Sequence, residues 1–147
     1  MASTNILFFS EDISFALRNK NKHREWLKKI AQKEKHVPGA LNYIFCSDEY
    51  LYKINFEYLK HDTYTDVITF DLRENNESNI LEADIYISIE RVKENARQLK
   101  LPLYSELRRV MIHALLHLVG YTDKSEKEKI IMRSKETEAL QFFEKMK

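Results

Sequence analysis

The chain has 147 residues, 44% hydrophobic and 32% charged, with a net charge of +1. That length holds one domain with a sizeable core, and the composition is that of a globular chain, neither disordered nor membrane-embedded. A single cysteine, Cys46, excludes an internal disulfide and fits a reducing compartment. No secretory leader pattern is visible and no apolar run approaches the roughly 18 residues of a membrane span, so the cytoplasm is the expected location and no membrane is expected as a partner. With two glycines and two prolines there is little material for linkers, and residues 1–147 read as one domain.

The apolar run Ile6–Phe9 reads as a strand. Residues 21–36 form a helix with Trp26, Leu27, Ile30 and Ala31 on its inner face. From Arg18 to His36 there are eight Lys or Arg side chains and two acids, a surplus of six in a chain whose total is +1. Charge gathered in this way attracts phosphate backbones, with Lys28 and Lys29 as candidate contacts; the alternative is an ordinary solvated helix surface. Pro38-Gly39 breaks the helix, and Ala40–Cys46 alternates as a second strand. Cys46 reads there as a small buried hydrophobe. Ser47 caps a helix that turns Leu51, Ile54 and Tyr58 inward and ends near Leu59.

A loop over residues 60–64 leads to the β-branched strand Thr65–Phe70. Residues 73–79 read as a hairpin-type connection, and Ala83–Ser88 as the next strand. Ile89–Leu99 is helical. Pro102 opens the most apolar helix, Leu103–Val119, which is expected to be central. An amphipathic helix from Ser125 to about Lys145 closes the chain, with Ile130, Ile131, Met132, Leu140 and Phe143 inward. The expected fold is α+β: a small sheet of about four strands covered by about five helices.

The chemistry gathers at the end of the central helix. His113 and His117 are four residues apart, so their imidazoles share a helix face. Their flanks are almost wholly apolar, and imidazoles buried there need partners. Gly120 permits the left-handed turn that stops a helix, and Asp123 follows on the returning chain. Two imidazoles and a carboxylate with an open fourth position are the plan of a catalytic zinc site. Asp123 has another reading, as the N-cap of the last helix with Glu126 completing a capping box; Ser125 with Glu128 offers the same pattern. Arg109 is one turn before His113. It is a candidate cation for a scissile phosphate, or the partner of Glu106. Ala114 follows the first histidine, where H-E-x-x-H peptidases carry glutamate, which argues against that plan.

These blocks resemble the YbeY family of bacterial endoribonucleases and ribosomal RNA maturation factors. Its histidine motif, roughly H-G-x-L-H-L-x-G-Y-D-H, is met by His113, Leu116, His117, Leu118, Gly120 and Tyr121, with Glu128, Met132 and Glu136 at the downstream spacing. A second block, N-x-x-Y-R…D-x-P-T-D-V-L-S-F, is matched by Asn55, Tyr58, Asp62 and Thr65–Phe70. A third, G-D-I-x-I-S, is matched by Ala83–Ser88. The likeness runs in register over about residues 41–138. It implies one zinc ion on His113, His117 and Asp123. It also implies hydrolysis of phosphodiester bonds in single-stranded RNA, with the maturing small-subunit ribosomal RNA 3′ end as substrate and the small ribosomal subunit as partner.

The departures are specific. Asp123 stands in place of a third histidine, and its negative charge lessens the acidification of a bound water. Leu59 stands in place of an arginine linked in the family to RNA handling. Asp66, Thr69 and Tyr121 are expected near the pocket, Asp66 equally as a strand-edge cap and Tyr121 as a packing residue. Two other readings stay open at this point: a metal-dependent hydrolase of a non-RNA substrate, and a ribosome assembly factor whose metal is mainly structural.

Overall fold

A computed structural model describes residues 5–60 and 65–147. His61–Tyr64, and with them the expected motif residue Asp62, lie outside the described residues. In chain order the elements are β1 (Ile6–Ser10), α1 (Lys20–Lys33), β2 (Val37–Cys46), α2 (Asp48–Leu59), β3 (Val67–Asp71), β4 (Ile80–Ser88), α3 (Ile89–Leu99), α4 (Leu103–Leu118) and α5 (Glu126–Lys145). The expected α+β fold, four strands and five helices, is what forms.

The strands lie in the order β1-β2-β4-β3. β1, β2 and β4 are parallel, and β3 runs antiparallel to β4 along the sheet's end. Parallel neighbours need crossovers, which α1 supplies between β1 and β2. β2 starts three residues earlier than its alternation indicates, because the register slips between Pro38 and Leu41. A proline has no N–H for the ladder and is tolerated at such a bulge. Gly39 sits there because a Cβ would stand 2.9 Å from the Leu81 carbonyl oxygen. The same early pairing draws Ile80 and Leu81 into β4.

One sheet face carries the main core. Leu41, Tyr43 and Phe45 of β2 and Ile85 and Ile87 of β4 pack against α1, α3, α4 and α5, with Trp26, Met111 and Leu115 fully buried. The polar tips of the large aromatics are satisfied there: Tyr43 Oη donates to the Met111 carbonyl at 3.0 Å and Trp26 Nε1 to that of Ala139 at 2.8 Å. The other face is covered by α2, over a small cluster of Cys46, Leu51 and Ile68. Burial pushes the Cys46 thiol up to about 12, so the side chain is packing and not a nucleophile.

Three helices end on a lysine in the left-handed region: Lys35 (φ 63°), Lys60 (φ 59°) and Lys100 (φ 59°). After α1, Lys35 N–H bonds the Gln32 carbonyl and His36 N–H that of Ala31, which stops the helix short of the expected His36. Two inward assignments are corrected. Tyr58 is 69% exposed, because Leu51 and Asn55 set the buried stripe of α2. Ile130 and Ile131 are exposed at 69% and 42%, because the inner stripe of α5 runs Met132, Glu136, Ala139, Phe143.

Candidate metal centre

α4 is apolar on nearly every side and is packed against α1, α3 and α5 on one hand and β3 and β4 on the other. Its last two turns carry His113 and His117. The helix stops in a reversal: Gly120 N–H bonds the His117 carbonyl at 3.1 Å and Tyr121 N–H that of Leu116 at 3.0 Å. Gly120 has φ +115°, and nothing lies within 4 Å of where a Cβ would be, so backbone conformation alone demands the glycine. The reversal brings Asp123 back over the histidines. Asp123 is not the cap of α5. Ser125 is, in a reciprocal capping box with Glu128. The Asp123 carboxylate is thus left for another partner.

The three donor atoms form a small triangle. His117 Nε2 is 3.0 Å from His113 Nε2, and Asp123 Oδ2 is 3.5 Å from the first histidine and 3.6 Å from the second. Ligands at about 2.0–2.2 Å from one tetrahedral ion stand about 3.3–3.5 Å apart. The two carboxylate–imidazole separations match this and the imidazoles stand slightly closer, so the three side chains could hold a single cation with one side of it open. The chemistry of the set agrees. His113 Nδ1 lies 2.5 Å from the buried Glu136 Oε2 and donates its proton there, so its Nε2 presents a lone pair to the triangle. A lone pair and a carboxylate oxygen facing each other across such a gap call for a positive charge between them.

Behind the histidine lies a buried ionic relay. Glu136 Oε1 is 3.5 Å from Arg109 Nη1, and Arg109 makes two hydrogen bonds, at 2.9 and 2.6 Å, to the fully buried carboxylate of Glu106. The bonds to Glu106 push the Arg109 pKa further up, so its charge is permanent. Glu136, at the downstream spacing of the family motif, and Glu106, three residues before Arg109 on the same helix, are thus drawn into one network behind His113.

In front of the triangle is a cleft of about 460 Å3, walled by Thr65, Asp66, Val67, Thr69 and Asp71 on one side and by His113, Ala114 and His117 on the other. Asp66 and Thr69 thus line it. Burial pushes the Asp66 carboxyl above the ordinary carboxylate range against the pull of Arg109, whereas the Arg73 guanidinium holds Asp71 below it. Arg73 also donates to the Leu118 carbonyl at 2.9 Å, tying the end of α4 to the β3–β4 connection. Among the described residues no Lys or Arg lines the cleft.

The other expected site residues are placed apart. Lys28 and Lys29 lie on α1, half-buried and exposed, outside the cleft wall. Leu59 ends α2 at 40% exposure. Tyr121 reaches away from the triangle and donates to Glu34 Oε1 at 2.9 Å, which pins the ligand-bearing loop to α1.

Comparison with known proteins identifies the family. The family model for Endoribonuclease YbeY matches residues 5–144. Endoribonuclease YbeY of Christiangramia forsetii is 48% identical over 143 residues, 97% of each chain. Its counterpart in Cytophaga hutchinsonii is 51% identical over 141 residues, 95% of this chain and 96% of the other. The solution structure of TM1509 from Thermotoga maritima superposes with a TM-score of 0.67 at 27% identity, covering 94% of this chain and 88% of that one. The chain belongs to the Endoribonuclease YbeY family.

Proposed function

We propose that the protein is a zinc-dependent endoribonuclease that hydrolyses phosphodiester bonds in single-stranded RNA and acts in the cytoplasm on the small-subunit ribosomal RNA 3′ end, with the small ribosomal subunit as partner. The observation that carries the reading is the triangle of His113, His117 and Asp123 beside a cleft whose β3 wall carries the acids Asp66 and Asp71. A phosphodiester is an anion, and among the described residues that wall offers it no Lys or Arg. The cleft becomes hospitable to it only with a cation on the triangle. A bound zinc ion would supply Lewis acidity for a phosphoryl oxygen and a more acidic water as nucleophile.

The chain's own residues have separable parts. His113 and His117 orient the open side toward β3, and Glu136 fixes the tautomer of His113. Arg109 is occupied by Glu106 and Glu136; its part is to hold Glu136, not to meet the phosphate. Asp66, desolvated and facing the cleft, is placed to take a proton from an incoming water. The basic surface of α1, with Lys28 and Lys29, draws the RNA backbone from a distance.

The structural-metal reading has one observation in its favour, since Asp123 ties the approach to α5 onto α4. Against it, α4 and α5 already share a core through Met132, Ala139 and Phe143. The test is metal content and single-strand RNA cleavage of the wild type and Asp123→Ala, each before and after chelation. Bound zinc, cleavage lost on chelation with helicity unchanged, and loss of both in the variant support the proposal. Equal metal in both proteins removes Asp123 from the ligand set, and unfolding on chelation favours the structural reading.

A further inference from the structure

The strand that walls the metal cleft has a second face, and that face also borders a cavity. Side chains alternate along a strand. Val67, Thr69 and Asp71 of β3 face the histidines, whereas Phe70 and the following Leu72 face the other way. There, under α2, lies a pocket of about 480 Å3 that no part of the proposed chemistry uses.

Its walls are aromatic and set at angles. Tyr50 and Tyr86 lie nearly parallel, 6.3 Å apart at 28°; Phe70 stands edge-on to Tyr86 at 5.9 Å and 89°, and Tyr58 edge-on to Phe70 at 6.3 Å and 85°. Tyr58 is 69% exposed and Leu72 54%, so a folded chain keeps a ring and an aliphatic side chain largely in water beside this pocket. Its charged members are few and of both kinds: Lys53 is a donor, and Glu57 and Asp84 are acceptors. Asp84 Oδ1 is held by Asn42 Nδ2 at 3.0 Å, which fixes the carboxylate's direction. Flat rings for stacking, carboxylates for amino and imino protons, and one ammonium for a ring carbonyl are complementary to a nucleobase. The acids disfavour a phosphate inside the pocket, so a base and not the backbone is what enters. β3 ends the sheet, so the two cavities are separated by the thickness of one strand.

Resting on the endoribonuclease reading, we propose that this pocket is a nucleobase subsite: one base of the RNA strand whose phosphate enters the metal cleft turns over the β3 edge and stacks against Tyr58 and Tyr86, its exocyclic donors on Asp84.

The test uses the full chain with zinc and a single-stranded RNA oligonucleotide, with the same oligonucleotide made abasic at one position at a time. Tyr58→Ala and Tyr86→Leu are compared with wild type for KM, kcat and melting temperature. Loss of a base–aromatic stack is expected to raise KM about 5- to 100-fold, with kcat nearly unchanged. One abasic position should impose the same penalty on wild type and none on the variants. Unchanged KM in both folded variants, or no sensitive abasic position, overturns the subsite. If wild type cleaves no RNA, the endoribonuclease reading fails separately, and anisotropy of the labelled oligonucleotide then decides: weaker binding by both variants keeps the subsite and equal binding overturns it. Variants that keep RNA affinity but lose a protein partner assign the pocket to that partner and overturn it as well.

Discussion

Glu136 Oε2 stands 2.5 Å from His113 Nδ1, and this contact decides which nitrogen of His113 faces the cleft. Glu136 is 2% exposed and is itself steadied by Arg109. A buried carboxylate behind a metal-ligating imidazole both orients the ring and raises its basicity. Glu136→Gln keeps the shape and removes the charge. It is expected to lower metal affinity about tenfold to a hundredfold, read by competition with a chromophoric chelator, with far-UV circular dichroism unchanged. Undiminished affinity would show that packing alone orients His113.

The backbone plan and the clustering of His113, His117 and Asp123 were legible because each has a local cause. Apolar periodicity marked α4, Ser47 and Ser125 marked two helix starts, and one helical turn plus Gly120 set the histidines and Asp123 together. What escaped has causes that are not local. Lys35 turns the chain out of α1 in a conformation usually left to glycine, so the stop read from Pro38-Gly39 placed the end of the helix too late. The bulge after Pro38 depends on the carbonyl of Leu81 in another strand. Ile130 and Ile131 looked inward because an apolar pair outweighs a single acid in a periodicity count, although Glu136 held the inner stripe. Arg109 pairs with Glu106 on its own helix, as the helical spacing allowed, and its second acid, Glu136 on α5, is one that only the packing reveals.

His23 couples stability to pH. It is 1% exposed, its Nδ1 lies 3.0 Å from the Asn19 carbonyl oxygen, and Arg108 Nη1 is 3.4 Å from Nε2. Burial pushes its pKa below the ordinary 6.5. The unfolded chain takes up a proton near that value while the folded chain resists it, so the contribution is complete above 6.5 and is lost as pH falls through the folded value. The loss is up to about 1.4 kcal/mol per pH unit within that window. Urea midpoints compared at about pH 7.5 and pH 5.5 should fall more for wild type than for His23→Phe, whose buried ring cannot titrate.

The lysine that ends α3 offers a gain. Lys100 has φ 59°, and its N–H bonds the Arg97 carbonyl while Leu101 N–H bonds that of Ala96. A side chain in that conformation costs about 1–2 kcal/mol, part of which glycine returns as unfolded-state entropy. Lys100→Gly is therefore expected to stabilise the fold by about 0.5–1 kcal/mol, measured by thermal or urea unfolding. RNA cleavage should be unchanged, since Lys100 is not among the residues that line the cleft. Destabilisation would mean that the lysine makes contacts worth more than the strain.

In the proposed ligand set Asp123 is the one anion. Its carboxylate oxygen is 3.5 and 3.6 Å from the two histidine nitrogens, and its neighbour Ser125, not Asp123, caps α5. A substitution here acts on the triangle and spares the helix start. Asp123→His, which restores the third histidine expected from the family motif, replaces an anion by a neutral donor and leaves a bound cation less neutralised. A less neutralised cation draws more electron density from a water and makes it more acidic. The acid limb of the pH–rate profile for RNA cleavage is therefore expected to move to lower pH in Asp123→His, with metal still bound. Asp123→Ala, which removes a ligand, should lose metal instead of shifting the profile. An acid limb that stays in place in a metal-loaded Asp123→His protein would assign it to a different titrating group. Asp66, the desolvated carboxyl in the cleft wall, is then the residue to exchange for asparagine.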